Sequence, residues 1–214
     1  MKTTIKHKLD DNVHKQTYDT LADEYESRVE SLLPMTAEAV EICEKYLQPG
    51  NSVLDIGCAV GIAVKCFNDK GFVCTGVELS HEMIMYAKTR NPMSNIIEAD
   101  FLQHEFKETF NSVYMSAFIH LFPKDKIQEV FKKIKKILKP DGLIFLSTTK
   151  AEVSKEGFEK KHDYNKRMIR FRKHRTEQEL QETIESHGFE IINKRIFADP
   201  YNKTWMGFVA RKLD

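Results

Sequence analysis

One short segment, Ser52–Gly61, constrains the fold more than any other part of the chain. It reads SVLDIGCAVG and runs from an apolar strand into a turn that contains two glycines. The residues that follow, IAVKCF, open a helix. A strand that enters a helix through a glycine turn brings bare backbone N–H groups up to a ligand. The segment therefore predicts a ligand-binding strand–turn–helix unit of an α/β fold.

The spacing of the glycines distinguishes between two kinds of nucleotide site. A dinucleotide fingerprint, GxGxxG, that began at Gly57 would need glycines where Ala59 and Ile62 stand. The segment reads instead D-x-G-x-x-x-G, with Asp55 inside the strand. A carboxylate at that position would repel a pyrophosphate but would attract a ligand that bears an ammonium group. We therefore expect a cationic ligand group near Asp55 and not a dinucleotide.

The composition indicates one domain, which we assign to residues 1–214. This length suits a single hydrophobic core, and 33 Lys+Arg nearly balance 32 Asp+Glu, so bulk charge does not indicate nucleic acid or membrane binding. No apolar run has the length of a transmembrane helix. The cysteines lack CxxC spacing, and we interpret them as core residues of a cytoplasmic protein: Cys43, Cys58, Cys66 and Cys74.

Apolar runs and helical patterns alternate along the chain. Strands are predicted near 52–56, 73–78, 95–99, 112–117, 143–147, 189–196 and 204–211. Helices are predicted near 18–29, 36–47, 62–67, 80–88, 127–138 and 177–187. This order predicts a Rossmann-like, doubly wound sheet of five parallel strands, with antiparallel strands at the C-terminal end.

Acidic residues end successive predicted strands. Glu78 ends the second strand, 21 positions after Gly57, where doubly wound nucleotide folds place a carboxylate on the ribose hydroxyls. Asp100 follows the third strand, where it can accept a hydrogen bond from an adenine amino group while Phe101 packs on the ring. The carboxyl ends of parallel strands share one edge, so we expect Asp55, Glu78 and Asp100 to face one crevice.

These acids resemble, in order and spacing, those of the class I S-adenosylmethionine (SAM)-dependent methyltransferases. Two further segments are similar to motifs of that family. FNSVYMSAFIHLFP at 110–123 is similar to its fourth-strand motif, and ILKPDGLI at 137–144 is similar to the start of its fifth strand. The resemblance extends from about Tyr18 to the C-terminus. It implies a small-molecule methyltransferase that transfers a methyl group to a nitrogen or oxygen nucleophile by in-line displacement.

The resemblance also implies which residues bind SAM. The methionine moiety would lie on the glycine turn, with its ammonium group on Asp55 and both ribose hydroxyls on Glu78. Asp100 and Phe101 would bind adenine, and Arg28 is a candidate partner of the cofactor carboxylate. No metal is expected. The remaining cofactor contacts are predicted at Gly57, Cys58, Ala59, Gly61, Leu79, Met83, Ser116, Tyr18 and Tyr25, and Ala59 stands where the family usually has glycine.

His120 is the predicted catalytic residue. It follows the fourth strand on the ligand side and would act as a base if the acceptor must lose a proton as it attacks. The alternative is that this histidine only bridges local backbone groups. Both interpretations place the side chain at the same edge of the sheet.

The acceptor is expected between a helical lid, residues 1–35, and an insertion, residues 150–175. The insertion contains a basic run, Lys166–Arg175, which is either a solvated face or an anion-binding surface. Under the second interpretation, Arg170 or His174 contacts an anionic acceptor. Tyr164 and Phe171 would then form an apolar wall.

Three functions are compatible with these features. The first is a small-molecule N- or O-methyltransferase that acts as a monomer or homodimer, with no membrane or nucleic acid partner. The second is an RNA or protein methyltransferase, suggested by the basic run. Against it, the fourth strand lacks the Asp/Asn-Pro-Pro-aromatic motif typical of enzymes that methylate planar amino groups. The third is a SAM-binding regulator without turnover.

Overall fold

A central sheet organises the computed structural model, which describes residues 2–161, 164–165 and 168–213. The strands of these residues are β1 (Ser52–Ile56), β2 (Val73–Glu78), β3 (Ile96–Glu98), β4 (Phe110–Ser116), β5 (Leu138–Thr149), β6 (Lys155–Lys161), β7 (Met168–His174), β8 (Phe189–Ala198) and β9 (Thr204–Lys212). Seven of them form one sheet in the order β3-β2-β1-β4-β5-β9-β8, and β6 pairs with β7 in a separate hairpin.

The pairing directions confirm the predicted fold class. β1 pairs in parallel with both β2 and β4, β2 with β3, and β4 with β5. β9 runs antiparallel to β5 and to β8. The strand order reverses between β1 and β4, and in such sheets the ligand crevice lies outside the carboxyl ends of the strands at that point.

Helices cover both faces of the sheet. They are α1 (Lys2–Glu26), α2 (Val29–Glu44), α3 (Ile62–Asp69), α4 (His81–Arg90), α5 (Ile127–Ile137) and α6 (Glu177–Ser186), with short 3-10 turns at Ile119–Leu121 and Lys124–Lys126. Because side chains alternate along a strand, neighbouring β4 residues enter different cores. Val113 packs on the α5 and α6 side, whereas Tyr114 stacks on Phe145 at 4.8 Å on the α2 and α3 side.

Capping residues fix the beginnings of two helices. The Ser80 hydroxyl accepts a hydrogen bond from the Met83 N–H at 3.3 Å and caps α4. The Thr176 hydroxyl accepts from the Glu179 N–H at 3.2 Å and caps α6. Such caps satisfy N–H groups that the first helical turn leaves without partners.

Three boundaries differ from the sequence prediction. α1 begins at Lys2 and α2 at Val29, both earlier than predicted, and α2 continues through Pro34. The segment Lys139–Gly142 does not separate α5 from β5 as a turn, because β5 already begins at Leu138. The register between β4 and β5 shifts opposite this segment, and Asp141 adopts a φ of 55°, so the residues form an irregularity within the strand.

The hairpin of β6 and β7 is the largest feature absent from the sequence prediction. Its antiparallel register pairs Lys155 with His174 and Lys161 with Met168. The high charge of this segment concealed its period-two alternation, which is the signal for a strand. Lys166 and Arg167 of the basic run lie outside the described residues.

Two further expectations concern cysteines and membrane segments. All four cysteines are buried and free. Across the helices that the structure describes, none combines the length and the apolar composition needed to cross a bilayer.

Candidate functional site

A cavity lies at the carboxyl edge of the sheet, beneath α1 and the β6–β7 hairpin, and it brings together most of the predicted site residues. Its wall includes Tyr18, Tyr25, Arg28, Asp55, Gly57, Cys58, Ala59, Glu78, Leu79, Met83, Asp100, Phe101, Ser116, His120, Tyr164 and Arg170. Three predicted residues do not line it: Gly61, Phe171 and His174.

The turn after β1 has left-handed backbone at Gly57, Ala59 and Gly61, with φ values of 70°, 47° and 81°. The sequence predicts bare N–H groups in this turn, but two of these groups already have an acceptor in β2. The Gly57 and Cys58 N–H groups both donate to the Val77 carbonyl, at 2.8 and 3.1 Å. Backbone hydrogen bonds therefore join the turn to β2. The turn allows a ligand to approach the main chain closely, but it offers few free N–H donors.

Gly61 lies behind the turn and caps α3. A Cβ atom on Gly61 would lie 2.6 Å from Asn91 Nδ2 and 3.0 Å from Ala87 Cα. The Gly61 carbonyl accepts a hydrogen bond from Asn91 Nδ2 at 3.0 Å. Glycine is required at this position by packing against α4, and this explains why the residue is absent from the cavity wall.

Asp55 and Glu78 are buried acids at the ends of neighbouring strands. Burial, followed by the charge of Glu78, raises the pKa of Asp55 to about 8. Burial also raises the pKa of Glu78, although the N–H groups of Ser80, Ala59 and Leu79 oppose this by donating to its carboxylate at 2.9, 3.0 and 2.8 Å. A cation beside this pair would restore the charged form of Asp55.

Asp100 and Phe101 occupy the end of β3, as predicted. Asp100 Oδ1 accepts a hydrogen bond from the Leu102 N–H at 2.7 Å, which fixes the carboxylate at the start of a turn. Phe101 is buried and meets Phe118 edge to face at 5.8 Å. Both side chains line the cavity, so the third acid joins the first two.

The N-terminal helix α1 is attached to α4 over the cavity. Arg90 of α4 donates a hydrogen bond to the Val60 carbonyl in the glycine turn. Three acidic side chains of α1 accept hydrogen bonds from side chains of α4 or its cap: Asp19 Oδ1 from Ser80 Oγ at 2.7 Å, Asp23 Oδ1 from Tyr86 OH at 2.8 Å, and Glu26 Oε1 from Arg90 Nη2 at 2.6 Å.

Aromatic side chains connect α1 to the hairpin. Tyr25 stacks on Tyr164 with ring centroids 4.9 Å apart, and Tyr18 meets Tyr25 edge to face at 6.0 Å. The Arg28 guanidinium lies 3.8 Å from the ring centroid of Tyr164 and 4.8 Å from that of Tyr201. Arg28 therefore contacts the hairpin and the β8–β9 turn at once, through cation–π interactions.

Strand alternation in β7 decides which of its residues reach the cavity. Arg170 and Arg172 share the cavity face, whereas Phe171 points to the other face and packs against Phe158 at 5.9 Å. His174 lies beyond the cavity, where its Nε2 is 2.7 Å from Glu159 Oε2. The period-two pattern from Arg170 would have predicted Arg172 as a site residue.

His120 lies in the 3-10 turn after β4 and is 2% exposed. Its Nδ1 is 3.1 Å from Thr148 Oγ1 of β5, and the residue lines the cavity. The imidazole is therefore held by β5 through one ring nitrogen and positioned at the predicted ligand edge.

Several wall residues were not predicted. His14 lies one helical turn before Tyr18, and the i, i+4 spacing was the available signal. The β8–β9 turn contributes Asp199, Tyr201 and Lys203. Its position follows from the predicted topology, because β9 is antiparallel to β5 and therefore begins at the cavity edge. Trp205 is 9% exposed and also lines the cavity.

The carboxylate of Asp199 holds this β8–β9 turn together. Asp199 Oδ1 accepts from the N–H groups of Tyr201 and Lys203, both at 2.9 Å. Asp199 Oδ2 accepts from Trp205 Nε1 at 3.0 Å. Both oxygens are thus used within the fold, and the turn presents Tyr201 to Arg28.

Known proteins resemble this chain in sequence and in structure. A family described as "Methyltransferase domain" matches residues 25–194. An uncharacterized protein of Methanocaldococcus jannaschii is 24% identical over 93% of the chain and 90% of its own length. A 24-methylenesterol C-methyltransferase of Arabidopsis thaliana is 27% identical over 74% of the chain, which spans about half (47%) of that enzyme.

A solved structure supports the same fold. The 1,6-didemethyltoxoflavin-N1-methyltransferase of Burkholderia thailandensis, solved with its substrate and S-adenosylhomocysteine (SAH), superposes with a TM-score of 0.71 at 19% identity. The alignment covers 94% of this chain and 91% of that one.

Proposed function

The chain belongs to the methyltransferase-domain family, and from this we propose that it transfers a methyl group from SAM to a nitrogen or oxygen atom of a small molecule. The resemblance to class I SAM-dependent methyltransferases is confirmed, and the chain is a methyltransferase. Support for a small acceptor comes from the Burkholderia enzyme, whose substrate, 1,6-didemethyltoxoflavin, is a small molecule methylated at nitrogen N1.

The paired acids Asp55 and Glu78 are the observation that carries the proposal. Two buried carboxyl groups on adjacent strands, one with its pKa raised to about 8, suit a ligand that brings a positive charge and hydroxyl groups. The ammonium group of SAM would lie at Asp55 and its ribose at Glu78. Asp100 and Phe101 would then hold adenine at the end of β3.

The chain's own contribution to methyl transfer is positioning and exclusion of water. SAM, when bound, supplies a methyl group already activated for in-line displacement. The cavity beneath α1 and the β6–β7 hairpin would hold the two reactants next to each other. Holding them there lowers the entropic cost of reaching the reactive geometry. Ser116, whose hydroxyl is 2.9 Å from Ser147 Oγ, would border the reacting centre.

Two side chains have proposed roles toward the acceptor. His120 would accept the proton that an N–H or O–H nucleophile releases, since the imidazole lies at the cavity edge with Nδ1 fixed by Thr148. Arg170 would bind a negatively charged group of the acceptor, with Tyr164 beside it as an aromatic wall.

A small anionic acceptor is favoured over RNA or protein by the position of the cations. Arg170 and Arg172 are 3% and 9% exposed, and both line a covered cavity. Nucleic acid binding relies on cations that reach phosphates on an accessible surface. The four free, buried cysteines further support our proposal of a cytoplasmic enzyme.

Calorimetry and an acceptor screen test the proposal. We expect SAH to bind the purified chain with one site, and Asp55→Ala to weaken that binding. Labelled SAM would then be offered with hydroxy- and amino-substituted aromatic carboxylic acids, each matched by its neutral carboxamide. Methylation of an acid in preference to its amide supports the full proposal. SAH binding without methylation of any small molecule, RNA or protein would instead indicate a regulator, and absence of SAH binding would overturn the site.

A further inference from the structure

His14 is a buried polar side chain in the cavity wall that the proposed mechanism does not use. It lies on α1 and is 9% exposed. Among the residues that the structure describes, neither ring nitrogen has a hydrogen-bond partner of normal geometry, and the Leu121 backbone offers at most a weak one. Buried polar groups are paired in the great majority of cases, because leaving one unpaired costs about 1–3 kcal/mol. An unpaired imidazole in the wall of a binding cavity therefore indicates a ligand that supplies the partner.

The surroundings of His14 define the charge of that ligand. The ring stacks on Tyr18 with centroids 6.3 Å apart, and the Tyr18 hydroxyl accepts a hydrogen bond from Arg170 Nη1 at 3.2 Å. Burial, followed by the positive charge of Arg170, lowers the pKa of His14 to about 4, and the nearby Leu121 carbonyl opposes this only in part. At neutral pH the imidazole is uncharged and keeps one N–H donor beside a buried guanidinium.

An oxygen anion suits both groups at once. A carboxylate or phenolate oxygen can accept the imidazole N–H while its charge is attracted to the guanidinium. A neutral amide would gain the hydrogen bond alone, and a cation would be repelled. The pair therefore discriminates by charge, and its members belong to α1 and β7, not to the strands that carry Asp55 and Glu78.

We propose that His14 and Arg170 together form the binding site for an anionic oxygen of the methyl acceptor, a carboxylate or phenolate, with His14 as the specificity-determining hydrogen-bond donor. This inference rests on the proposed function in that it places the acceptor in the cavity. It adds a residue from the lid that no motif indicates. His120 keeps its separate role near the end of β4.

Ring-nitrogen NMR with benzoate as the probe tests the inference directly. The full chain, with histidines labelled with ¹⁵N, would be titrated with benzoate and, in parallel, with neutral benzamide, alone and with saturating SAH. His14→Phe keeps a ring against Tyr18 and assigns the His14 signals. We expect benzoate to move the His14 ring signals at concentrations at which benzamide leaves them within error, and equal movement by both would overturn the inference.

Affinity measurements on matched variants complete the test. We expect His14→Phe and Arg170→Gln each to weaken benzoate binding at least 10-fold, whereas His104→Phe, at a ring outside the cavity that packs on Phe106, leaves it unchanged. Benzoate that does not bind, that binds without moving the His14 signals, or that binds His14→Phe as tightly as the wild type would overturn the inference. Because no methyl transfer is measured, a negative acceptor screen with a positive benzoate titration would refute the proposed function alone.

Discussion

The Glu78 carboxylate accepts a hydrogen bond from the Ala59 N–H at 3.0 Å, and this contact joins the glycine turn to the end of the neighbouring strand. The two segments that a nucleoside must contact are thereby fixed relative to each other. Glu78 has a structural role in the turn in addition to its proposed role at the ribose, and any substitution there tests both.

Glu78→Ala should weaken SAH binding by about 1–3 kcal/mol, because charged hydrogen bonds to the ribose are lost. Titration calorimetry measures the change, and Glu78→Gln separates loss of charge from loss of the turn contact. The matched control is Glu98→Ala at the end of β3, an exposed acid paired with His81 outside the cavity. Equal weakening by the control, or full affinity in Glu78→Ala, would contradict the assignment.

Asp55 should make the stability of the cofactor-free protein fall as the pH rises. The folded protein retains this proton up to about pH 8, whereas an ordinary aspartate loses it near 3.8. The contribution of Asp55 is therefore complete below about pH 4 and is lost progressively toward pH 8.

We therefore expect Asp55→Asn to flatten this decline and to gain at least about 1 kcal/mol in free energy of unfolding at pH 8 relative to the wild type, since one pKa unit corresponds to about 1.4 kcal/mol. Urea unfolding at pH 5 and pH 8 measures it, with exposed Asp125→Asn as the control. Parallel pH profiles of wild type and Asp55→Asn would show that burial of Asp55 carries no such cost.

The attachment of α1 to α4 should control opening of the lid. Asp19→Asn combined with Tyr86→Phe weakens two of the three contacts without altering the sheet. We expect faster amide hydrogen exchange in α1, at least several-fold, and faster release of SAH in stopped-flow measurements. Thr89→Ala, on α4 but bonded to its own helix, serves as the control. Unchanged exchange in α1 would show that the Asp19 and Asp23 contacts do not hold the lid.

Gly61→Ala should destabilise the protein through packing more than through backbone strain. Left-handed backbone costs an alanine about 1–2 kcal/mol, and the new Cβ would also overlap Asn91 and Ala87. Gly71→Ala has a similar φ of 83° but no atom within 4 Å, so it isolates the strain. Chemical unfolding should give a clearly larger loss for Gly61→Ala, and equal losses would refute the packing role.

His120→Ala should abolish methyl transfer while leaving the dissociation constant of SAH within about twofold. The imidazole is held by Thr148 of β5 and lines the cavity, and it is not one of the residues proposed to bind SAM. Single-turnover assays with the acceptor found by screening would measure the first effect and calorimetry the second. His104→Ala provides a matched loss of one histidine outside the cavity. Full activity of His120→Ala would show that the residue has only a structural role, at the β4–β5 edge.

The sheet and the acidic half of the cavity were predictable because each depends on local signals. The Ser52–Gly61 segment and Glu78 combine a strand, a turn and a charge within a few residues, and the structure brings them together. The opposite half was predicted only in part, since its geometry depends on contacts between distant segments. Phe171 was assigned to the cavity and Arg172 missed because strand alternation in β7 was concealed by charge.

His14 illustrates a second limit of the sequence. The i, i+4 spacing to Tyr18 places His14 on the same helix face, but the burial of that face depends on the packing of α1 against β7, which the sequence does not indicate. The same holds for Tyr201, whose place beside Arg28 depends on the position of the β8–β9 turn.

The two sides of the cavity are formed by different parts of the chain, and this has an evolutionary consequence. Most residues proposed to bind the nucleoside belong to the sheet and its turns, whereas most of those proposed to meet the acceptor come from α1 and the β6–β7 hairpin. Substitutions in these peripheral segments can change which compounds are methylated while the binding site of the methyl donor stays the same. Proteins with this fold can therefore evolve new acceptor specificity through changes in the segments that surround the sheet.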